Sequence, residues 1–160
     1  MRWSGRREPY ISCFCCPPNT VRTITEIAAY TYSISDEGLW INLYGGNELD
    51  TQLADGSALR LKQQTDYPWD GMINIILEEA PQKEFSVYLR IPGWAKNAYI
   101  KINEEMVSEN LQSGQYYEVR RLWCNKDRIK LVLPMPGRLM EAHPLVEEIR
   151  NQTAICRGPI

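Results

Sequence analysis

The chain has 160 residues, 44% of them hydrophobic, which suits one domain able to bury roughly two thirds of its unfolded surface without disulfide support. Eighteen Lys and Arg stand against 20 Asp and Glu, a formal net charge of -2 with no long run of one sign, which excludes broad electrostatic attraction to nucleic acid or an anionic membrane. No stretch reaches the roughly 18 consecutive apolar residues of a membrane span, and the first ten residues (MRWSGRREPY) lack the apolar core of a signal peptide, so a soluble, cytoplasmic protein is expected.

Residues 1–16 carry no clean period. Pro17 and Pro18 suit the first turn of a helix, where a missing N–H is no loss, and they predict a helix start. Val21, Ile24, Ile27 and Ala28 then recur at spacings of three and four, one apolar stripe that fades between Ser33 and Gly38. From Gly38 the period becomes two: Leu39, Ile41 and Leu43 alternate with Trp40, Asn42 and Tyr44 until Gly45-Gly46-Asn47 ends the run. Similar alternation predicts strands at 58–65, 72–79, 84–91, 98–103, 115–120, 128–133 and 152–157. No helical stretch separates them, so the fold class is mainly β, an antiparallel β-sandwich preceded by one short helix. A composition shift near residue 37 divides a cysteine-bearing helical segment (1–37) from a β-sandwich domain (38–160). An apolar residue after Gly158-Pro159 commonly opens another strand, so the sandwich is expected to be incomplete at its C-terminus, with an unpaired edge that invites self-association.

Three of the five cysteines, Cys13, Cys15 and Cys16, crowd the predicted helix start. The count is odd and the neighbouring pair Cys15 and Cys16 cannot easily close on each other, so a secreted disulfide framework fits poorly. At a helix mouth the positive end of the dipole stabilises a thiolate, and adjacent thiolates can reach one soft cation such as Zn²⁺. Four ligands are not evident in the cluster, so a metal site and buried, inert thiols both stand as readings. His143, the single histidine, is far away in sequence and sits beside Pro144, which makes a Cys-His hydrolase a poor fit.

Cys15-Cys16-Pro17-Pro18-Asn19 followed by Arg22 resembles a motif of the β-L-arabinofuranosidase group, glycoside hydrolase family 127. Five further segments agree in order: Gly38-Leu39-Trp40-Ile41-Asn42-Leu43-Tyr44, Thr65-Asp66-Tyr67-Pro68-Trp69-Asp70-Gly71, Leu89-Arg90-Ile91-Pro92-Gly93-Trp94-Ala95, Leu133-Pro134-Met135-Pro136 and Arg157-Gly158-Pro159. The resemblance implies that the helix is the remnant of an (α/α)6 barrel otherwise absent from this chain. It also implies a zinc-dependent retaining mechanism, with Cys15 matching the catalytic nucleophile and a metal ligand, and Cys16 matching a second metal ligand. The remaining ligands of the family, a glutamate and a third cysteine, and its acid/base glutamate would lie before Met1. On that reading the chain is a catalytically incomplete piece of an enzyme acting on arabinofuranose-containing glycans.

The alternative is a non-catalytic β-sandwich module that packs on a catalytic domain or binds carbohydrate, and a third reading is a small metal or redox protein built on the cysteine cluster. Cys13 is expected to support the site rather than ligate, and Cys124 and Cys156 to serve packing. Trp69 and Trp94 sit in Pro-aromatic-Gly turns, expected to pack sandwich corners although their flat faces could also carry a sugar. Asp70 and Glu48 read as turn or surface carboxylates.

Overall fold

A computed structural model describes residues 14–160 of the chain. Helix α1 (Cys16–Glu26) leads through a 3-10 turn (Ile27–Tyr30) into twelve strands: β1 (Tyr32–Ser35), β2 (Gly38–Ile41), β3 (Asn47–Gln52), β4 (Ala58–Gln64), β5 (Met72–Glu79), β6 (Glu84–Arg90), β7 (Ala98–Ile102), β8 (Glu105–Leu111), β9 (Tyr116–Leu122), β10 (Arg128–Val132), β11 (Gly137–Glu141) and β12 (Thr153–Arg157). All eight strands expected from the alternation are present. The helix, by contrast, ends before the stretch where the apolar stripe was expected to fade. Tyr32 to Ser35 pair instead with β2, because an aromatic and a β-branched residue two apart fit a pleated surface better than another helical turn.

The strands form a four-stranded sheet, β1-β2-β6-β9, and a six-stranded sheet, β3-β4-β5-β10-β7-β8, with β11 and β12 as a separate pair. The fold is the expected β-sandwich after one short helix, with one refinement: β2 lies parallel to β6. Registers align the apolar residues into rows. Leu61 faces Leu77 across β4 and β5, Leu131 faces Ile73 and Ile100, and Ile129 faces Ile75 and Ile102. In the other sheet Leu39 faces Val87 and Ile41 faces Leu89. Residues of both sheets join one buried cluster, since each sheet has one apolar face and the two can dry only against each other. Trp123, fully buried, closes one end and donates its indole N–H to the Phe85 carbonyl at 3.0 Å.

A polar seam runs where the helical segment meets this core. The Tyr32 hydroxyl lies 2.5 Å from Asn47 Oδ1 and accepts from Gln63 Nε2 at 2.7 Å, while Tyr44 donates to the Arg90 carbonyl at 2.7 Å. Burial pushes the phenols of Tyr44, Tyr32 and Tyr67 above the ordinary value of 10.0. The folded chain therefore holds these protons more tightly than the unfolded chain, so the stability they contribute is full below pH 10 and lost as the pH rises beyond it. Urea melts from pH 8 upward should give a flat unfolding free energy to about pH 10 and a decline above it; a decline beginning below pH 9 would contradict this account.

Loops at one end of the sandwich bring three of the quoted segments together. Leu133 N–H donates to the Gly71 carbonyl at 2.8 Å, and Arg157 Nη1 donates to the Trp69 carbonyl at 2.7 Å. Glycine is required at 71, since a Cβ there would stand 1.9 Å from the Leu133 oxygen. Arg157 and Ile160 exchange backbone hydrogen bonds of 2.7 and 3.1 Å, so the last residues form a closed turn.

Candidate active-site segment

The two prolines lie in the first turn of α1, as their lack of N–H groups allows, with Cys15 as N-cap and Cys16 as the first helical residue. Asn19 N–H closes the first turn on the Cys15 carbonyl at 3.2 Å, and Arg22 donates to Asn19 Oδ1 at 3.0 Å, so the polar members of the motif brace each other one turn apart. Because Pro17 and Pro18 carry no N–H, two of the four donors that would be free at this helix mouth are missing.

Cys15 and Cys16 are exposed in this chain. Their sulfurs are 3.7 Å apart. Two Zn–S bonds of about 2.3 Å at a tetrahedral angle would hold sulfurs about 3.8 Å apart, so the donor atoms and their spacing fit two corners of a zinc site. Among the described residues no third His, Cys, Asp or Glu joins them. Cys13 lies outside the described residues.

Helix α1 carries the pair away from the sandwich. Its 11 residues, with none buried, span about 16 Å, and the four-residue 3-10 turn adds about 8 Å. The stripe expected from the sequence is present, but Val21, Ile24 and Ile27 are 61%, 65% and 54% exposed. A lone helix of this length is marginal in water without a packed face. In this chain by itself, amide exchange along α1 should be close to unprotected while β5 and β10 exchange slowly; equal protection in α1 would show that the helix is held by the sandwich.

Elsewhere the expectations divide. Cys124 is exposed in a turn, its N–H donating to Asp127 Oδ2 at 2.9 Å, so it does not pack the core, whereas Cys156 is half-buried opposite Arg138. His143 accepts from the Leu145 N–H through Nδ1 at 3.3 Å in the β11–β12 loop. Asp70 accepts from the Met72 N–H at 3.0 Å and Glu48 pairs with Lys62 at 2.5 Å, a turn and a surface carboxylate. Trp94 packs against the core as a corner residue should, but Trp69 does not: its side chain is 71% exposed. Gln63, buried with no partner for its Oε1 among the described residues, was invisible to sequence reasoning, because a polar residue in a strand pattern gives no sign of facing inward.

Comparison with known proteins supplies the class. A solved glycoside hydrolase superposes with a TM-score of 0.90 at 48% identity, covering 99% of this chain and 26% of that one. A GH127 β-L-arabinofuranosidase from Geobacillus stearothermophilus T6 gives 0.86 at 39% identity, covering 96% of this chain and 24% of that one. A GH127 β-arabinofuranosidase gives 0.85 at 30% identity, covering 96% and 26%. The sandwich with its leading helix thus has the fold of one segment of solved glycoside hydrolases. The family described as β-L-arabinofuranosidase, GH127 middle domain, matches residues 38–135, and the chain belongs to that family. It spans about a quarter of the length of the solved structures it matches. A search of curated proteins finds no match. Among the described residues no helix is long and apolar enough to cross a membrane.

Proposed function

We propose that this chain contributes the nucleophile-bearing segment and the supporting sandwich of a zinc-dependent retaining glycosidase that hydrolyses β-L-arabinofuranosides. The observation that carries the proposal is the Cys15–Cys16 pair, exposed at the start of α1 with sulfurs 3.7 Å apart, in a chain of this family. Cys15 and Cys16 would hold the metal, and bound zinc supplies the charge that keeps a thiol deprotonated at neutral pH. Cys15 then attacks the anomeric carbon while a carboxylic acid outside this chain protonates the leaving oxygen, and water later displaces the sulfur from that carbon, the two inversions giving net retention. Asn19 and Arg22 fix the turn that aims both sulfurs. The helical segment before β1 would belong with the catalytic barrel, while β1 (Tyr32–Ser35) joins residues 38–160 in the sandwich that carries α1.

The alternative, a sandwich that works only as a packing or carbohydrate-binding module, is favoured for the isolated chain by the complete core and the absence of a third metal-binding side chain among the described residues. One experiment separates the two. The chain alone and the full-length enzyme are assayed for hydrolysis of an aryl β-L-arabinofuranoside and for bound zinc. The proposal expects about one zinc and turnover in the full-length enzyme, and neither in the chain. A full-length enzyme active without metal would overturn it.

A further inference from the structure

Within the loop 65–71, packing does not account for Trp69. Its backbone is fixed, the N–H donating to the Asp66 carbonyl at 2.8 Å and the carbonyl accepting from Arg157, yet the side chain is 71% exposed. The loop around it is built rigidly. Thr65 Oγ1 donates to the Met72 carbonyl at 2.7 Å and accepts from the Tyr67 N–H at 3.0 Å, and Gly71 is pinned against Leu133. Beside it the loop and the ends of β4 and β5 form an open hollow of about 210 Å³ lined by Gln64, Thr65, Asp66, Asp70, Met72 and Asn74, with Trp69 standing in the chain between the lining residues Asp66 and Asp70. Gln64 and Asn74 stand directly opposite each other across the two strands. The side chains of Gln64, Asp66 and Asn74 make no hydrogen bond among the described residues, and Asp70 spends one carboxylate oxygen on the Met72 N–H.

We propose that this end of the β4–β5 hairpin is a contact site for a neutral glycan, with Trp69 as the apolar platform and Gln64, Asp66, Asp70 and Asn74 as partners for sugar hydroxyls. The inference deepens the glycosidase reading and rests on it for the sugar class. A pyranose or furanose ring presents one C–H face and a rim of hydroxyls, so it needs a flat exposed ring beside a few planar polar groups held in place. Amides and carboxylates can each engage neighbouring hydroxyls. Two carboxylates in the hollow select against acidic sugars, because a uronate would face like charge. The fixed loop lowers the ordering cost of binding.

The test is an NMR titration of the ¹⁵N-labelled chain with neutral arabino-oligosaccharides of three to five units, with xylo-oligosaccharides and galacturonate oligosaccharides as comparators. Saturable shifts confined to residues 64–74 are expected, weakened at least about tenfold by Trp69→Ala and also weakened by Asn74→Ala. Both variants change exposed or half-exposed side chains, and an unchanged thermal melt will confirm that they fold. Selective shifts with xylo-oligosaccharides alone would keep the site and remove the arabinose reading of the enzyme. Shifts as strong with galacturonates, or none at 64–74 with any neutral sugar, would overturn the site while leaving the role of Cys15, which is tested by activity, untouched.

Discussion

Replacing Cys15 with serine in the full-length enzyme should lower kcat by at least about 10⁴ with little change in fold, because under the proposed mechanism the reaction loses its nucleophile and not only one contact to the transition state. Serine keeps the size and the N-cap position, so Asn19 can still close the first turn on the residue 15 carbonyl. It does not keep the chemistry: a hydroxyl is far harder to ionise than a thiol and binds a soft cation less well. Cys16→Ser should act differently. It removes a sulfur 3.7 Å from that of Cys15 and, on the proposed mechanism, should reduce bound zinc, with activity falling in parallel and partly recovering when excess metal is added. Cys124→Ser, in an exposed turn far along the chain, should change neither reading. Retention of more than about a tenth of wild-type kcat by Cys15→Ser would sink the assignment of the nucleophile, and unchanged zinc in Cys16→Ser would remove that residue from the metal site.

The sequence showed the interior of this fold far better than its margins, for a physical reason. Strands β4, β5, β6, β7 and β10 each bury one face, so Leu59 and Leu61, or Ile73, Ile75 and Leu77, repeat every second residue and announce themselves. Strands β3, β8 and β11 (NELDTQ, EMVSENL and GRLME) are held mainly by backbone ladders at sheet edges or in the small hairpin, and their side chains can be charged without cost. Nothing in their hydropathy sets them apart from loops. The start of α1 was legible from Pro17 and Pro18, but its end was not, because Tyr32 is drawn into a sheet by Asn47 and Gln63, partners distant in sequence. At the site, motif order led to Cys15 and Cys16. The spacing of their sulfurs, the bracing of Asn19 by Arg22 and the exposure of Trp69 needed coordinates, since each depends on side-chain direction, which sequence spacing alone leaves open.

Gly38→Ala should destabilise the sandwich by about 4 kcal/mol, enough to leave much of the protein unfolded at 37 °C, although it adds a single methyl group. Gly38 opens β2 directly opposite Ser86 of β6 in the parallel pair, with φ at +146°, a conformation that side chains rarely adopt. A Cβ there would lie 2.1 Å from the Ser86 carbonyl oxygen and 2.9 Å from its carbon. The obstacle is backbone in the middle of a ladder, not the end of a flexible side chain, so relief requires β2 to move off β6. That movement would also pull Leu39 and Ile41, both fully buried, away from Val87 and Leu89, and would loosen β1, whose only sheet partner among the described residues is β2. Gly45→Ala provides the control, because a Cβ at that position meets nothing within 4 Å and the backbone conformation is ordinary; its effect should stay within about 1 kcal/mol. Urea denaturation of both variants decides the point. Similar midpoints for the two would show that β2 and β6 can separate slightly at low cost, and the close parallel contact would then not explain why glycine stands at the head of this strand.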